Sequence, residues 1–236
     1  ILNNKRGNLS VFTSIQTNFT IGAAALADFN LDGTLDLVLA GSSSSSGNTT
    51  PLYVYFGNGN GVFSSPTVLS FQGSASAAAS GDFNEDGFPD IAISNSSSTF
   101  GAVTLFLNAG FGNFVPAAIF TVGGSPRDLE VADFNTDGNL DAAVISTNGT
   151  GSLLLGNGSG GFQVASNFTL FSGSSSSTFN VSSAVGDLNN DGRPDLAVAN
   201  GDSNFFTVLL NTGSGGFAAP VTNTFADFNL RPRSIL

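Results

Sequence analysis

Short apolar runs recur along the whole chain and are separated by glycine, asparagine, serine and proline. Within the first repeat unit these runs are AAALA, DLVLA and LYVYF, and similar runs such as DIAIS and VTLFL follow later. Runs of this length, bounded by turn-forming residues and without a helical period, predict β-strands. The pattern therefore predicts an all-β protein in which each unit supplies three or four strands.

The apolar runs belong to an internal repeat of acidic segments. DFNLDGTLD begins at Asp28, and related segments begin at Asp82, Asp133 and Asp187, with spacings of 54, 51 and 54 residues. Each segment is followed by a glycine-rich turn that ends in phenylalanine, at Phe63, Phe114, Phe162 and Phe217. Four strands in a repeat of this length predict β-propeller-type blades of four antiparallel strands. The small residues before each segment fit innermost strands near an axis, and the phenylalanines are expected to pack between blades.

The repeat divides the chain into one repeat domain over residues 1–236. The predicted units are a partial blade over 1–20, repeats at about 21–71, 72–122, 123–176 and 177–226, and the start of a further blade over 227–236. Partial blades at both ends leave unpaired strand edges, which attract partners. Three arrangements remain open: a small ring closed within one chain, a piece of a longer propeller, or a head-to-tail filament. The incomplete register favours the second and third.

Charge and composition narrow the chemistry. The net charge is −11, with 15 Asp, 2 Glu and only six Lys and Arg, so the chain is not expected to bind nucleic acid. Cys and His are absent, which removes thiolate nucleophiles, zinc–thiolate sites and the commonest general base. No run of 18 apolar residues is present, so no membrane-inserted segment is predicted.

Twelve of the Asp residues fall in the four acidic segments and predict calcium sites. Each segment has Asp at positions 1, 5 and 9, Asn at position 3 and Gly at position 6. Alternate side chains of a tight loop point inward, and the Gly turns the chain so that the carbonyl of position 7 joins them. The alternative is a set of Asp-rich hairpin turns without metal, in which grouped carboxylates repel one another.

The sequence therefore predicts about four structural Ca²⁺ ions. The predicted ligands are Asp28, Asn30, Asp32, Thr34 and Asp36; Asp82, Asn84, Asp86, Phe88 and Asp90; Asp133, Asn135, Asp137, Asn139 and Asp141; and Asp187, Asn189, Asp191, Arg193 and Asp195, where the seventh-position residue offers its backbone carbonyl. An EF-hand carries a Glu at position 12, but that position is apolar in all four copies: Leu39, Ile93, Val144 and Val198. Each loop is therefore expected to lead directly into a strand.

The DFNxDGxxD segments and the turns that end in phenylalanine resemble the FG-GAP/VCBS repeats of integrin α-subunit propellers and of other extracellular proteins. The resemblance covers nearly the whole chain. It implies a β-propeller, often seven-bladed, whose Asp loops bind structural calcium. This chain departs from the seven-bladed pattern because it has only four loops. Certain fungal lectins of the family bind sugars between blades.

Acceptor motifs for N-glycosylation are dense. The pattern Asn-x-Ser/Thr occurs at Asn8, Asn18, Asn48, Asn95, Asn148, Asn157, Asn167 and Asn180. Most of these positions fall in expected loops or turns, which a glycosylating enzyme can reach. They fit an extracellular or cell-surface protein, where calcium is abundant.

These observations predict a non-enzymatic, calcium-stabilised extracellular repeat glycoprotein with a structural or adhesive role, in a larger propeller or a filament. Its expected partners are proteins, including copies of itself, and glycans form a second class. The alternative is a lectin-like propeller in which Tyr53 and Tyr55 stack on sugars, although their alternation fits strand packing equally well. A two-carboxylate glycosidase would have to use Glu85, inside a calcium loop, or Glu130, in an inner strand, so no catalytic residue is predicted.

Overall fold

The fold is built from antiparallel strands, and the described residues contain no helix. The computed structural model describes residues 2–3, 9–10, 14–42, 49–96, 101–171, 181–201 and 205–224. Strands β1 (Leu2–Asn3) and β2 (Leu9–Ser10) form a two-stranded sheet, and the other strands form four sheets of four. Over these described ranges, no helix is long and apolar enough to cross a membrane.

The four larger sheets follow the four repeats in order. Sheet 1 contains β3 (Thr20–Ala27), β4 (Asp36–Ser42), β5 (Thr49–Tyr55) and β6 (Thr67–Gln72). Sheet 2 contains β7 (Ser74–Gly81), β8 (Asp90–Ser96), β9 (Gly101–Asn108) and β10 (Phe114–Val122). Sheet 3 contains β11 (Pro126–Ala132), β12 (Asp141–Ser146), β13 (Thr150–Gly156) and β14 (Phe162–Thr169). Sheet 4 contains β15 (Val181–Gly186), β16 (Asp195–Asn200), β17 (Phe205–Leu209) and β18 (Val221–Thr224).

Strands that are neighbours in sequence are hydrogen-bonded neighbours in each sheet, and all of these pairs are antiparallel. The predicted all-β fold with propeller-type blades of four strands is therefore confirmed. The first strands of the sheets, β3, β7, β11 and β15, lie side by side in a row. Within the described residues this row of sheets is not closed into a ring. The further blade predicted at 227–236 lies outside the described residues.

Small side chains let the first strands approach one another. Strand β7 reads SASAAASG, and a Cβ added to Gly22 of the first sheet would collide with the carbonyl oxygen of Ala75. Larger residues at these positions would hold the sheets apart. The runs of Ala, Ser and Gly therefore belong to the innermost strands, as the sequence predicts.

Each sheet is buried on both faces where it lies between two others. In β8, Ile91 and Ile93 pack against sheet 1, whereas Ala92 packs against sheet 3. A third apolar cluster joins sheets 3 and 4 through residues such as Ile145 and Val198. Burial on both faces explains why the second strands read as continuous apolar runs and not as alternating ones.

The up-and-down order places two connections of every sheet at the same end. The acidic segment joins the first and second strands, and the glycine-rich turn joins the third and fourth, so both leave the sheet on one side. In sheet 1 the Thr34 hydroxyl donates to the carbonyl oxygen of Gly57 at 3.0 Å, which ties the two connections together. We call this side of the molecule the loop end.

Candidate metal sites in the acidic loops

The four acidic loops share one backbone path. The fourth residue of each loop has a left-handed conformation, with φ of 58°, 59°, 62° and 60° at Leu31, Glu85, Thr136 and Asn190. The sixth residue is a glycine with positive φ in every copy: Gly33, Gly87, Gly138 and Gly192. A non-glycine residue in this region costs about 1–2 kcal/mol, so the hydrogen bonds of the loop must over-determine its shape.

Side chains at positions 1, 3 and 5 form the loop tip. In the first loop, Oδ1 of Asp28 accepts from the N–H of Asp32 at 3.0 Å, and Oδ2 accepts from the N–H of Gly33 at 2.7 Å. Asn30 accepts from the same Asp32 N–H at 3.1 Å and donates its amide to Asp32 Oδ2 at 3.0 Å. The other three loops repeat these four bonds at distances between 2.8 and 3.2 Å.

The ninth-position Asp has a different environment, because it is fully buried. Oδ2 of Asp36 accepts from the N–H of Phe29 at 2.9 Å, and Oδ1 accepts from the N–H of Gly57 at 2.8 Å. The carboxylate therefore ties its loop to the glycine-rich turn of the same sheet. Asp90, Asp141 and Asp195 make the equivalent pair of bonds.

Sequence reasoning assigned these ninth-position residues to the metal and missed their role in the turn. The residue that donates from the turn lies 21, 18, 15 and 16 positions after the Asp in the four copies. Because this separation varies, no fixed spacing in the sequence signals the tie.

Burial and hydrogen bonding shift the carboxyl pKa values in opposite directions. Burial raises the pKa of Asp36 and Asp141, and it raises the pKa of Asp90 to about 6, against the effect of backbone N–H groups that favour the charged form. At the loop tips, hydrogen bonds lower the pKa instead. The Thr34 side chain has the largest effect on the pKa of Asp32, and the N–H of Gly192 has the largest effect on the pKa of Asp187. These lowered pKa values favour the charged forms of Asp32 and Asp187, and a nearby cation would favour the ionised form of the buried carboxylates.

Among the described residues, no cationic side chain forms an ion pair with the carboxylates of the first three loops. Across the described part of the chain, the one ion pair joins Arg193 and Asp191 in the fourth loop, and Arg193 Nε also donates to the carbonyl oxygen of Asn211 at 3.0 Å. The sequence analysis predicts only the backbone carbonyl of Arg193 as a ligand, and the ion pair of its side chain is an addition from the structure. The fourth loop thus carries its own cation, and the others do not.

The described residues contain no group of three or more Asp, Glu, His or Cys side chains that already surrounds one point. The predicted ligands of each loop lie in one tight turn, but their carboxylates face backbone N–H groups. The donor set contains only carboxylate, amide and carbonyl oxygens, and in three loops its charge has no cationic partner among described residues. This chemistry fits a hard cation such as Ca²⁺.

The other predicted site residues are dispersed. Asn18, Asn148, Asn157 and Asn167 are exposed, whereas Asn8, Asn48 and Asn180 lie outside the described residues. Asn95 differs from all of these because it is 1% exposed within β8. Its amide donates to the carbonyl oxygen of Gln72 at 2.6 Å, and its Oδ1 accepts from the Thr104 hydroxyl at 2.9 Å. In the folded chain the Asn95 side chain is therefore inaccessible to a glycosylating enzyme.

The tyrosines and glutamates considered for sugar chemistry do not form one site. Tyr53 packs edge-on against Phe19 with ring centroids 4.9 Å apart, and Tyr55 is buried. Glu85 occupies the exposed fourth position of the second loop. Glu130 lies between sheets 3 and 4, where it accepts from the Ser183 hydroxyl at 3.1 Å and burial raises its pKa.

A groove of about 490 Å³ separates the outer strands of sheets 1 and 2. Apolar walls come from Phe71, Phe106 and the segment 116–119, and Gln72 and Thr104 contribute polar groups. The register of β10 shifts between Pro116 and Ala118, so a bulge shapes one wall. No sequence signal pointed to this groove.

Comparisons with known proteins agree with this architecture. The chain is similar to an Agrocybe aegerita lectin that recognises non-reducing terminal N-acetylglucosamine, with a TM-score of 0.55, 21% identity, and coverage of 84% of this chain and 51% of that chain. It is similar to BBS1N in complex with ARL6DN, with a TM-score of 0.57, 13% identity, and coverage of 89% and 59%. It is also similar to the Pseudomonas aeruginosa periplasmic gluconolactonase PpgL, with a TM-score of 0.54, 20% identity, and coverage of 84% of this chain and 56% of that chain.

These likenesses show a shared fold, and the chain spans between half and three-fifths of the length of those proteins. A comparison with curated proteins found no match. At the level of sequence families, the FG-GAP-like repeat matches residues 28–93, 82–144 and 133–198, and the FG-GAP repeat matches residues 179–218. Together these segments take in all four acidic loops and most of the chain, which therefore belongs to the FG-GAP repeat family.

Proposed function

We propose that this chain is a calcium-stabilised, non-enzymatic extracellular repeat glycoprotein with a structural or adhesive role. The observation that carries the proposal is the identical acidic loop at the same end of all four sheets. Because the same strained loop occurs in all four sheets, we attribute to it a role in stabilising the whole array and not in forming a single reactive centre. The protein acts as one member of a larger propeller or of a head-to-tail assembly.

Each calcium ion would be held by the side chains at positions 1, 3, 5 and 9 and by the carbonyl of position 7. In the first loop these residues are Asp28, Asn30, Asp32, Asp36 and Thr34. A bound ion would neutralise the tip and fix the loop on the hairpin that it connects. The ninth-position Asp, which already joins the loop to the glycine-rich turn, would transmit this constraint to the rest of the sheet.

Calcium binding gives a direct test. Equilibrium titration is expected to find about four ions per chain, with the fourth loop weakest because Arg193 must release Asp191. Replacing Arg193→Thr, which copies Thr34 of the first loop, is expected to raise the affinity of the weakest site by about tenfold. Asp86→Ala serves as the control, because it should remove one site and leave three. Fewer than three ions in the unaltered protein would contradict the calcium role.

An extracellular position is supported by the exposed acceptor motifs and by the need for calcium. Asn18, Asn148, Asn157 and Asn167 are accessible to a glycosylating enzyme. The non-enzymatic role is supported by the environments of the carboxylates, since those of the loops bind backbone N–H groups and Glu130 binds Ser183. The partners that fit this role are proteins, including copies of the chain, with glycans as a second class.

A second candidate function is glycan binding, which the groove between sheets 1 and 2 favours. Its apolar walls and polar rim suit a sugar ring, and the similar Agrocybe aegerita protein is a lectin. Ile119 lines this groove and is 55% exposed, whereas Val115 on the same strand is 45% exposed and lies outside it.

Glycan-array binding distinguishes this second function from the first. If the groove binds sugars, Ile119→Arg is expected to lower the binding of the best glycan at least tenfold, while Val115→Arg leaves it unchanged. No binding to any glycan, or equal loss with both variants, would exclude the groove as the sugar site.

A further inference from the structure

The interface between consecutive sheets repeats three times within the chain. In each interface, the second residue of an acidic loop is a phenylalanine. Its ring packs edge-on against the phenylalanine that ends the glycine-rich turn of the next sheet. The ring centroids are 5.4, 5.4 and 5.6 Å apart in the pairs Phe29–Phe114, Phe83–Phe162 and Phe134–Phe217. The loop phenylalanines of these pairs are at most 3% exposed. This ring pair therefore seals one sheet against the next.

Two kinds of interface alternate along the chain. Between sheets 1 and 2, the Asn108 amide donates to the carbonyl oxygen of Phe29 at 2.8 Å, and between sheets 3 and 4 the Asn211 amide donates to Phe134 at 2.8 Å. We call these interfaces the asparagine type. Between sheets 2 and 3, the backbone N–H of Gly160 donates to the carbonyl oxygen of Phe83 at 3.0 Å instead.

The interface between sheets 2 and 3 has a second distinguishing contact, and we call it the glycine type. Leu140, the eighth residue of the third loop, covers Gly81 at the end of the first strand of sheet 2. A Cβ on Gly81 would lie 2.5 Å from Cδ1 of this leucine, so the leucine would have to move to admit a side chain there. The glycine type thus pairs a glycine on the leading sheet with a leucine on the following one.

Within the described residues no further sheet follows sheet 4, and the face left open there has the leading half of a glycine-type interface. Gly186 occupies the place of Gly81, and a Cβ added there would meet no atom within 4 Å. Leu188 occupies the place of Phe83 but is 50% exposed. Among the described residues, neither position has the neighbour that covers its counterpart in sheet 2.

On the other side, no described four-stranded sheet precedes sheet 1, and the face left open there has the following half. Leu35 occupies the place of Leu140 and is 62% exposed. Gly61 and Phe63 occupy the places of Gly160 and Phe162, and Phe63 belongs to none of the three apolar clusters. The second and fourth loops carry Pro89 and Pro194 at the eighth position, so sheet 1 matches sheet 3 and not sheets 2 and 4.

We propose that sheet 4 of one copy binds sheet 1 of a second copy through a glycine-type interface. Leu35 of the second copy would cover Gly186, Phe63 would cover Leu188, and the N–H of Gly61 would donate to the carbonyl oxygen of Leu188. This order continues the alternation, because an asparagine-type interface between sheets 3 and 4 is followed by a glycine type. The inference rests on the structural role proposed above and names its contact surface.

Disulfide cross-linking tests the contact, since the chain has no cysteine of its own. Gly186→Cys combined with Leu35→Cys is expected to give reducible species of twice the chain mass or more, at least tenfold above Gly186→Cys combined with Val115→Cys. Peptide mass spectrometry should place the bond between positions 35 and 186. Gly81→Cys with Leu140→Cys is the positive control, because it should form the same bond within one chain.

The outcomes separate this inference from the proposed function. A 35–186 bond within a single chain, or no bond above the Val115→Cys background while the 81–140 bond forms, overturns the contact between copies. Calcium titration of the same variants reports on the acidic loops independently. Full calcium binding without cross-linking would reject the interface alone, and cross-linking without calcium binding would reject the calcium role alone.

Discussion

Removal of calcium with excess EDTA is expected to lower the melting temperature of this protein by about 20 °C or more. A ligand present at a hundred times its dissociation constant stabilises a folded chain by about 2.7 kcal/mol per site. Three or four such sites amount to on the order of 10 kcal/mol, and 1 kcal/mol shifts the melting temperature of a chain of this size by about 2–4 °C. The effect is large because an acidic loop joins the first and second strands in all four sheets.

Thermal unfolding followed by circular dichroism checks this prediction, with metal removal verified by elemental analysis. EDTA saturated beforehand with calcium is the matched control and should leave the melting temperature unchanged. Readdition of calcium should restore it. An unchanged melting temperature after verified removal would show that the loops act as metal-free turns, which was the alternative reading of the sequence.

Local features of the sequence predict most of the fold. The strand pattern, the loop glycines and the terminal phenylalanines all act within a few residues of their position, so the repeat can be read directly. The inner strands were identifiable in the same way, because only small residues such as Ala75 and Gly22 permit their close approach. The placement of Phe114 between sheets 1 and 2 also follows from the repeat.

Features that depend on distant neighbours escaped prediction. Asn95 follows the apolar run DIAIS and belongs to an acceptor motif, yet β8 extends through it and its side chain is buried. The role of Leu35 could not be predicted either. Leucine and proline alternate at the eighth position of the loops, and only the contact of Leu140 with Gly81 in the structure explains this alternation. The hydrogen bond from the Gly57 N–H to Asp36 also escaped prediction, because the number of residues between the Asp and the turn differs between repeats.

Replacement of the buried Asp90 by alanine is expected to reduce the free energy of unfolding by about 3–5 kcal/mol even in calcium-free protein. Asp90 accepts from the backbone N–H groups of Phe83 at 2.9 Å and Asn108 at 2.7 Å, and all three groups are buried. Each unpaired buried donor costs about 1–3 kcal/mol, and the lost volume adds a further cost. Asp90→Asn keeps one acceptor oxygen and is expected to lose about half as much.

Asp86→Ala in the same loop is the matched control, because Asp86 is exposed and water replaces its hydrogen bonds. In calcium-free protein its effect on the free energy of unfolding should stay within about 0.5 kcal/mol. In saturating calcium it should lose the contribution of one site, about 2.7 kcal/mol. Urea unfolding with and without calcium measures both variants. Equal losses in calcium-free protein would mean that Asp90 serves only the ion, whereas the predicted gap shows that the ninth carboxylate holds each sheet together before any metal binds.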